Sequence, residues 1–190
     1  MIVRHYLPKE HQIEPLNTTL ILRPLQSNDS FEELTTLLHI AYKPLADMGL
    51  RFLATHQNSI TTQERCLSGY TFVAEQNQTL VGTITLYPQS TASDCHYYQR
   101  EGVWHFGQFA VHPSLQKHGI GSIMMEIAEN IAQLNGANEL ALDTSEHAHH
   151  LRAYYEKMGY EFREYVQWDI TNYRSIIASK VLDTSSDRIV

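Results

Sequence analysis

The segment Gln116-Lys117-His118-Gly119-Ile120-Gly121 combines residue types and a spacing that suit the binding of a phosphate group. Glycine has no β-carbon, so Gly119 and Gly121 allow a phosphate to approach the backbone amides closely. The first turn of a helix has N–H groups without intrahelical partners at the positive end of the helix dipole, and Lys117 adds a formal charge. An ordinary glycine loop before a helix is the alternative, because short glycine motifs often occur by chance.

A strand before this loop and a helix after it position the two glycines. Strand-forming residues run from Val103 to Val111, and the glycine of Gly107-Gln108 in their middle indicates a bulge. Pro113 ends the strand because proline lacks an amide donor. Apolar residues then recur at three- and four-residue steps, which predicts one face of a helix that stops at Gly136. These residues are Ile120, Ile123, Met124, Ile127, Ile131 and Leu134.

This order of strand, Val-His-Pro, glycine loop and amphipathic helix resembles the acetyl-CoA-binding segment of the GCN5-related N-acetyltransferase (GNAT) superfamily. The family pattern is Gln or Arg, two residues, Gly, one residue, and Gly or Ala, and its fixed positions are filled by Gln116, Gly119 and Gly121. The resemblance runs roughly from Leu20 to Lys180. It implies that acetyl-CoA contacts the strand end, the loop and the first helical turn. The implied residues are Phe109, Ala110, Val111, Gln116, Lys117, His118, Gly119, Ile120, Gly121 and Ser122.

The resemblance also implies how the strand contributes to the reaction. In the family, the strands before and after the helix are parallel and splay apart at a bulge, which leaves a slot for pantetheine. The bulge would lie at Gly107-Gln108. Backbone groups from Phe109 to Val111 would pair with the pantetheine amides as another strand does. An N–H group freed from the ladder would support the developing oxyanion.

A tyrosine is the candidate proton donor to the thiolate of CoA. The segment from Arg152 to Tyr160 resembles the family segment in which a tyrosine four residues before a glycine lies near the CoA sulfur. Tyr155 holds that position before Gly159. A phenol with a pKa of about 10 is protonated at neutral pH and can donate to a thiolate. Core packing is the alternative role of Tyr155, because this helix is rich in aromatic residues.

Several residues are candidates for the base that deprotonates the amine. Many family members have a glutamate on the strand before Val-x-Pro, where this chain has Gln108, and an amide cannot take a proton. Glu101, His105 and His112 lie at the beginning, middle and end of the strand, and each could act through water. The two histidines are favoured, since the pKa of an imidazole is about 6.5. A structural role is the alternative for each.

Composition is that of an ordinary globular protein, with 190 residues, 43% hydrophobic and 18% charged. Cys66 and Cys95 do not indicate a disulfide framework. The formal charge of −7 argues against nucleic acid, whose binding is driven by clustered Lys and Arg. No run is apolar enough to span a bilayer and no secretory signal is recognisable, so we expect a cytoplasmic protein without a membrane partner. We also expect a monomer or homodimer. We expect no metal, because the histidines at 147, 149 and 150 lack ligand-spaced partners.

The remaining elements predict an α/β (α+β) fold. It has a mixed, mostly antiparallel central sheet of about seven strands, flanked by helices, with one right-handed strand–helix–strand crossover. Besides the strand at 103–111, strands are predicted at 19–23, 71–75, 80–86, 139–143, 162–168 and 173–179. Besides the helix from Ile120, helices are predicted from a cap at Asn28 or Asp29 to an interruption at Pro44, at 59–67, and from a cap at Thr144 or Ser145 to about Met158. Residues 1–16 are interpreted as a polar extension, 17–182 as one acetyltransferase-like domain and 183–190 as a tail.

Two function classes fit this sequence. The first is an N-acetyltransferase that moves an acetyl group from acetyl-CoA to a primary amine of a small molecule or peptide, by direct transfer in a ternary complex. The second is a non-catalytic acyl-CoA-binding or regulatory module of the same fold. Tyr155 favours the enzyme, and Gln108 favours the module.

The acceptor is not identified by the sequence. A polyamine, an amino acid, an aminoglycoside-like amine and a protein N-terminus or lysine are all open, and the acidic balance favours a cationic acceptor. The long connection 87–100 is interpreted as a specificity loop, with a mobile surface loop as the alternative. The family resemblance implies that the first two helices and their connection form one wall of the acceptor pocket, with Tyr42, Met48, Arg51 and Phe52 as candidates for its lining. Simple packing of a loop against the sheet is the alternative for each of them.

Overall fold

The computed structural model describes residues 6–13 and 18–182, and within them one eight-stranded sheet organises the chain. The strands are β1 Lys9–Ile13, β2 Thr18–Pro24, β3 Tyr70–Gln76, β4 Thr79–Tyr87, β5 Val103–Val111, β6 Glu139–Ser145, β7 Glu161–Gln167 and β8 Arg174–Val181. Their order across the sheet is β1-β2-β3-β4-β5-β6-β8-β7. Neighbouring strands are antiparallel except β5 and β6, which are parallel. The predicted mixed, mostly antiparallel sheet is confirmed.

Four helices in the described part of the chain cover this sheet: α1 Phe31–Asp47, α2 Ser59–Leu67, α3 Ile120–Leu134 and α4 His149–Lys157. The pleat of β3 shows how they are divided between the two faces, because successive side chains of a strand point to opposite sides. Phe72 and Ala74 belong to the largest core cluster, which contains the buried side of α3. Val73, between them, packs with Leu34 of α1 and Cys66 of α2. The sheet is therefore covered on both faces.

The helix α3 forms where the apolar periodicity predicts it, but its buried face is rotated from the predicted one. Ile120, Met124 and Ile131 are buried as expected, together with Met125 and Ala128. The last predicted core position, Leu134, is 60% exposed. The buried side chains follow steps of four and three residues from Ile120, and small alanines on this side let the helix lie close to the sheet.

An additional edge strand lies in the segment predicted as a polar extension. Residues Lys9–Ile13 pair antiparallel with β2 and form β1. The sequence did not reveal this strand because only Ile13 of its five residues is buried, so it has no alternating apolar pattern. The other parts of the predicted extension, residues 1–5 and 14–16, and the predicted tail 183–190 lie outside the described residues.

The predicted boundaries of α1 were wrong at both ends. Its cap is Ser30, whose hydroxyl accepts the Glu33 amide at 3.1 Å, whereas Asp29 is engaged by Arg23. The helix also continues through Pro44 to Asp47. Proline removes only one hydrogen bond in the last turn, and packing of Leu45 with Leu50 and Tyr173 holds that turn in place.

The predicted start of α4 was also wrong. Thr144 and Ser145 are the last residues of β6, paired with β8, and the helix begins at His149 after Ala148, which provides no side-chain cap. The Ser145 hydroxyl instead accepts the His147 amide at 3.1 Å and forms a turn between strand and helix. Cap residues are also turn residues, so the sequence alone did not separate the two roles.

A buried ion cluster joins β2, β3 and the entry to α1. The Arg23 guanidinium donates to both carboxylate oxygens of Asp29 at 2.7 Å and to Glu75 on β3 at 2.7 and 2.9 Å. The side chains of Arg23 and Asp29 are only 9% and 7% exposed. Burial opposes ionisation of Asp29, but hydrogen bonds from Arg23 and the Gln26 amide outweigh it and hold the pKa of this carboxyl below its usual value.

Replacing Asp29 with Ala leaves a buried guanidinium with one carboxylate partner fewer, so we expect the free energy of unfolding at pH 7 to fall by about 3 kcal/mol. Urea denaturation measures this loss. Because the pKa of Asp29 is lowered on folding, its contribution is complete above the unfolded pKa of about 4 and is lost as pH falls through the folded value.

The exposed pair of Lys43 and Asp47, at 2.7 Å on α1, provides the control. Asp47→Ala should cost less than about 0.5 kcal/mol, because solvent screens an exposed ion pair. Equal losses in the Asp29 and Asp47 variants would contradict the role assigned to the cluster.

Candidate active site

Two neighbouring cavities meet beside the end of β5 and share part of their wall. The first cavity has a volume of about 490 Å³ and runs along the end of β5, the start of α3, and residues of α1 and α4. The second cavity, of about 350 Å³, lies against residues 105–108 in the middle of β5 and against Asp143 and Thr144 near the end of β6. Tyr42, Leu151 and Tyr155 line both cavities. Two ligands, one in each cavity, would therefore meet at these three residues.

The gap between β5 and β6 opens because the two strands pair over a short length. Their parallel pairing covers Val103–His105 opposite Glu139–Ala141, although β5 continues to Val111 and β6 to Ser145. On its other side, β5 carries one residue more than β4 between two paired positions, and Gln108 there has a φ of 48°. This extra residue is the predicted bulge at Gly107-Gln108. A bulge bends a strand, which leaves the end of β5 diverging from β6.

The predicted cofactor residues lie mostly on the wall of the first cavity. Residues from the strand, the loop and the first helical turn line it: Phe109, Ala110, Val111, Gln116, Lys117, Gly119, Gly121 and Ser122. Two of the predicted residues do not. The side chain of Ile120 is buried in the core beneath α3, and His118 lies outside the lining. Ile120 and His118 could therefore contact a cofactor in this cavity only through their backbone atoms.

The loop that begins α3 has a backbone conformation and a free helix start that suit the approach of an anion. Lys117 and Gly119 have φ of 65° and 83°, and Gly119 is the helix cap without a side-chain hydrogen bond. The amides of the first turn thus keep their hydrogen-bonding capacity at the positive end of the helix dipole. Gly121 has a different reason to be glycine, because a β-carbon there would lie 3.0 Å from the Tyr154 hydroxyl. Both glycines line the first cavity.

Tyr155 lies where the two cavities meet, and its hydroxyl has no hydrogen-bond partner within the described residues. Its ring contacts Phe106 at a centroid distance of 6.2 Å, so Tyr155 packs against the core and also forms part of the wall of both cavities. Burial raises the pKa of Tyr155 well above its usual value. The neighbouring Tyr154 lines only the first cavity, 3.5 Å from the hydroxyl of Ser122. The two adjacent tyrosines therefore face different surroundings.

Aromatic rings form much of the second cavity. They are Tyr42, Phe52, Tyr87, Tyr98, Phe106, Tyr155, Trp168 and Tyr173. Of the four residues predicted to line an acceptor pocket, Tyr42 and Phe52 lie on this wall, whereas Met48 and Arg51 do not. Asn172 binds the Gly49 carbonyl and the Arg51 amide at 2.8 Å each and so holds the chain after α1 against the turn between β7 and β8. That contact joins distant segments and could not be read from the sequence.

The connection between β4 and β5 also reaches the second cavity. Ser93 and Tyr98 of the connection line it, together with Tyr87 at the end of β4. Tyr97 and Tyr98 are 5% and 2% exposed, and the Tyr97 hydroxyl donates to Glu139 at 2.6 Å. The connection is therefore packed against the sheet over these residues.

His105 lies on the second cavity between two rings, Tyr98 at 3.9 Å and Tyr87 at 4.9 Å. Burial lowers the pKa of His105 to about 3, so the imidazole is neutral but a weak proton acceptor. His112 and Glu101 line neither cavity. His112 lies beyond the end of β5, where its Nδ1 contacts the Ser114 hydroxyl at 2.7 Å. The geometry thus supports none of these three predicted candidates as a direct base.

Asp143 is a polar residue of the second cavity that the sequence reasoning missed. Trp168 Nε1 and the Ser175 hydroxyl donate to its Oδ2 at 3.1 and 3.2 Å, and the Tyr98 hydroxyl lies 3.5 Å from its Oδ1. Burial raises the pKa of Asp143, against the opposing effect of these hydrogen bonds. A single carboxylate inside the otherwise apolar run 140–143 was the available signal, because buried strands seldom carry an unpaired charge.

Residues 6–13 and 18–182 contain no group of three or more His, Cys, Asp and Glu side chains that could hold a metal ion. No helix in these ranges is long and apolar enough to cross a bilayer.

Comparisons with known proteins agree with this architecture. The model of the Acetyltransferase (GNAT) family matches residues 33–160. The S-(2-succino)cysteine N-acetyltransferase of Bacillus subtilis (strain 168) is 28% identical over 131 residues, which cover 68% of this chain and 77% of that protein.

Solved structures share the fold. The GNAT domain of S. lividans PAT has a TM-score of 0.69 at 13% identity and covers 92% of this chain and 97% of its own. A GNAT family acetyltransferase from Elizabethkingia anophelis with acetyl-CoA bound has a TM-score of 0.59 at 16% identity, covering 86% of this chain and 98% of its own. At these identities the likeness concerns the fold.

A matched pair of variants tests the anion cradle. Asp and Asn both tolerate the positive φ of Gly119, and no atom lies within 4 Å of a β-carbon placed there, so both side chains fit. Gly119→Asp should bind acetyl-CoA at least about tenfold more weakly than Gly119→Asn, because only Asp repels a pyrophosphate. Isothermal titration calorimetry measures both dissociation constants. Equal dissociation constants for the two variants would show that the pyrophosphate does not bind at this loop.

Proposed function

The chain belongs to the acetyltransferase (GNAT) family, and we propose that it moves an acetyl group directly from acetyl-CoA in the first cavity to a primary amine in the second. It is an acetyl-CoA-dependent N-acetyltransferase. The observation that carries the proposed arrangement is Tyr155, which lines both cavities at the point where they meet. The alternative of a non-catalytic module is not supported by this arrangement.

The cofactor position follows from the local chemistry of the first cavity. The pyrophosphate lies on the first turn of α3 and beside Lys117, where uncapped amides and the helix dipole favour an anion. The pantetheine arm follows Phe109–Val111, whose side towards β6 lies beyond the paired part of the two strands. The thioester then reaches the wall shared by the two cavities.

The chemical step needs one proton to leave the ammonium before attack and one to reach the thiolate afterwards. The free amine attacks the thioester carbonyl carbon, the carbon–nitrogen bond forms, and the carbon–sulfur bond breaks as the tetrahedral intermediate collapses. Tyr155 gives its proton to the departing sulfur, and the proton lost by the acetylated nitrogen returns to the tyrosine through water. The raised pKa of Tyr155 keeps the phenol protonated until that step.

Asp143 accepts the first proton in this proposal. It is a carboxylate on the wall of the second cavity, and burial raises its pKa towards that of an effective base. It replaces His105, whose pKa of about 3 makes it a weak acceptor. Glu101 and His112 are absent from the lining of both cavities.

A small molecule is the proposed acceptor. The second cavity, of about 350 Å³, suits one small amine, and by its name a relative acts on S-(2-succino)cysteine. Both cysteines, Cys66 and Cys95, are free and buried, which agrees with the reducing, cytoplasmic setting we infer. A monomer or homodimer stays our prediction.

Replacing Tyr155 with Phe keeps the ring and removes only the proton donor. We expect kcat to fall at least about tenfold, a loss of ~1.4 kcal/mol in transition-state stabilisation, while the dissociation constant of acetyl-CoA changes little. Thiol release measured against a panel of amines gives kcat.

The adjacent Tyr154→Phe variant is the control, because Tyr154 lines the first cavity only. Its effect should be confined to the KM for acetyl-CoA. If both variants lose the same fraction of kcat, or if Tyr155→Phe loses only thermal stability, the proton donor is another group.

Asp143→Asn should lower kcat/KM for the amine at least about 100-fold, because the amide oxygen can still accept the hydrogen bonds of Trp168 and Ser175 but the group cannot take a proton. In the unchanged protein, kcat/KM should fall with decreasing pH through the raised pKa of Asp143, above the usual carboxyl value of about 4, as the base becomes protonated. The variant should lose this acidic limb. Glu146 is a carboxylate outside both cavities, so the Glu146→Gln variant should retain the acidic limb.

A further inference from the structure

Resting on the proposed function, we propose that the acceptor is an α-amino acid or a similar amino acid whose carboxylate pairs with Arg65 while its ammonium group is held by Asp143. Both residues line the second cavity. They come from α2 and β6, on different sides of the sheet's central gap, and neither is part of the first cavity. The cavity thus offers one cation and one anion to a single small molecule.

Arg65 has the features of an anion-binding group. Its Nη1 donates to Gln57 Oε1, and its Nη2 lies 3.5 Å from the position that a β-carbon on Gly107 would occupy. Gly107 leaves this space open beside the guanidinium. Among residues 6–13 and 18–182, no carboxylate forms an ion pair with Arg65, although Arg23 pairs with two carboxylates and Arg163 and Arg174 with one each. A guanidinium on a cavity wall without a protein carboxylate is suited to a ligand carboxylate, which it can bind with two parallel hydrogen bonds.

Two buried amides fix the orientation of this guanidinium. Gln57 is 3% exposed, and its Nε2 donates to Gln108 Oε1 at 3.0 Å and to the Thr62 hydroxyl at 2.7 Å, so its oxygen faces Arg65. Gln108 in turn donates to Cys66 and Thr85 at 3.3 Å. Gln57 and Gln108 are therefore positioning residues that act through Arg65.

This arrangement gives a reason for glutamine at position 108. A glutamate in its place could still accept the Gln57 hydrogen bond, but it would put a negative charge beneath the guanidinium. The charge would weaken the attraction of Arg65 for a second carboxylate in a site of low dielectric constant. A neutral amide preserves the positive charge for the ligand.

The charges of the second cavity favour a zwitterion over a polycation. His105 contributes no charge near neutral pH, because burial lowers its pKa to about 3. Of the other ionisable lining groups, Arg65 is cationic, Asp143 is the carboxylate and the rest are phenols. A polyamine or aminoglycoside would bring several positive charges towards one carboxylate and one guanidinium. The net charge of −7 is thus a poorer guide to the acceptor than this local pair.

Aromatic rings surround the two charges, so the third substituent of the acceptor is one that packs against them. Phe52, Tyr87 and Trp168 lie on this wall, together with the aliphatic Ile170. Such a surface favours an apolar or aromatic side chain, or the thioether chain of an S-substituted cysteine, because burial of these groups away from water stabilises the complex.

The test is a set of matched acceptors at saturating acetyl-CoA. The set comprises the twenty amino acids and several S-alkylcysteines, each as the free acid and as the α-carboxamide, together with the amines that lack the carboxyl group. We expect the best acceptor to be a free acid whose kcat/KM exceeds that of its amide at least tenfold. An amide or simple amine that matches or exceeds the best acid overturns the proposal and leaves the acetyltransferase function intact. Absence of thiol release with every amine overturns both.

Variants of Arg65 connect this preference to the guanidinium. Arg65→Gln should raise the KM for the best acid at least tenfold and leave the amide unchanged, so that the acid-to-amide ratio approaches one. Arg65→Lys, which retains the charge, should restore part of the ratio. Lys43→Gln, an exposed cation of α1 outside both cavities, is the control and should leave the ratio unchanged.

Binding measurements separate this role from a structural one. Arg65 lies in the last turn of α2, where a cation also stabilises the helix dipole. A purely structural role would lower the melting temperature and affect acids and amides equally, which would overturn the proposal. The dissociation constant of acetyl-CoA should stay the same in each folded variant. Gln108→Glu provides a second route, since it keeps Arg65 and should still reduce kcat/KM for the acid more than for the amide.

Discussion

The extra residue that Gln108 adds to β5 separates the end of this strand from β6, and both cavities depend on that separation. The parallel pair holds together only at Val103–His105, so the following backbone of β5 is not occupied by the neighbouring strand. A continuous ladder would fill the space in which two substrates must meet. The bulge removes hydrogen bonds between β4 and β5. Hydrogen bonds between the Gln108 side chain and the side chains of Gln57 and Thr85 offset part of this loss.

The helix α4 turns this gap into two compartments with a common wall. None of its residues is fully buried, and its tyrosines pack at the edge of the core, where one side of each ring contacts protein and the other a cavity. Tyr154 and Tyr155 are adjacent, and the rotation of about 100° per helical residue gives them different neighbours. One contacts the start of α3, and the other lies at the junction of the cavities. Helical geometry thus separates a residue that lines only the first cavity from the proposed acid.

Burial gives the ionisable groups of the second cavity opposite properties. Removal from water disfavours the charged form of every group, so it raises the pKa of Asp143 and lowers that of His105. The carboxylate becomes a better proton acceptor and the imidazole a poorer one, which reverses the order expected from their ordinary pKa values. One physical effect therefore distinguishes the proposed base from the neutral imidazole ring.

The sequence by itself determined the features that neighbouring residues create together. The glycine spacing around Gly119, the apolar periodicity of α3 and the position of Tyr155 before Gly159 are local, and the strand–helix–strand crossover from β5 to β6 followed from the succession of elements. Only the tertiary structure decided which polar groups line one cavity, because Arg65 and Asp143 are far apart in the chain and the fold places both on the wall of the second cavity. Burial, which sets the proton affinity of each group, depends on the whole fold and has no local pattern in the sequence.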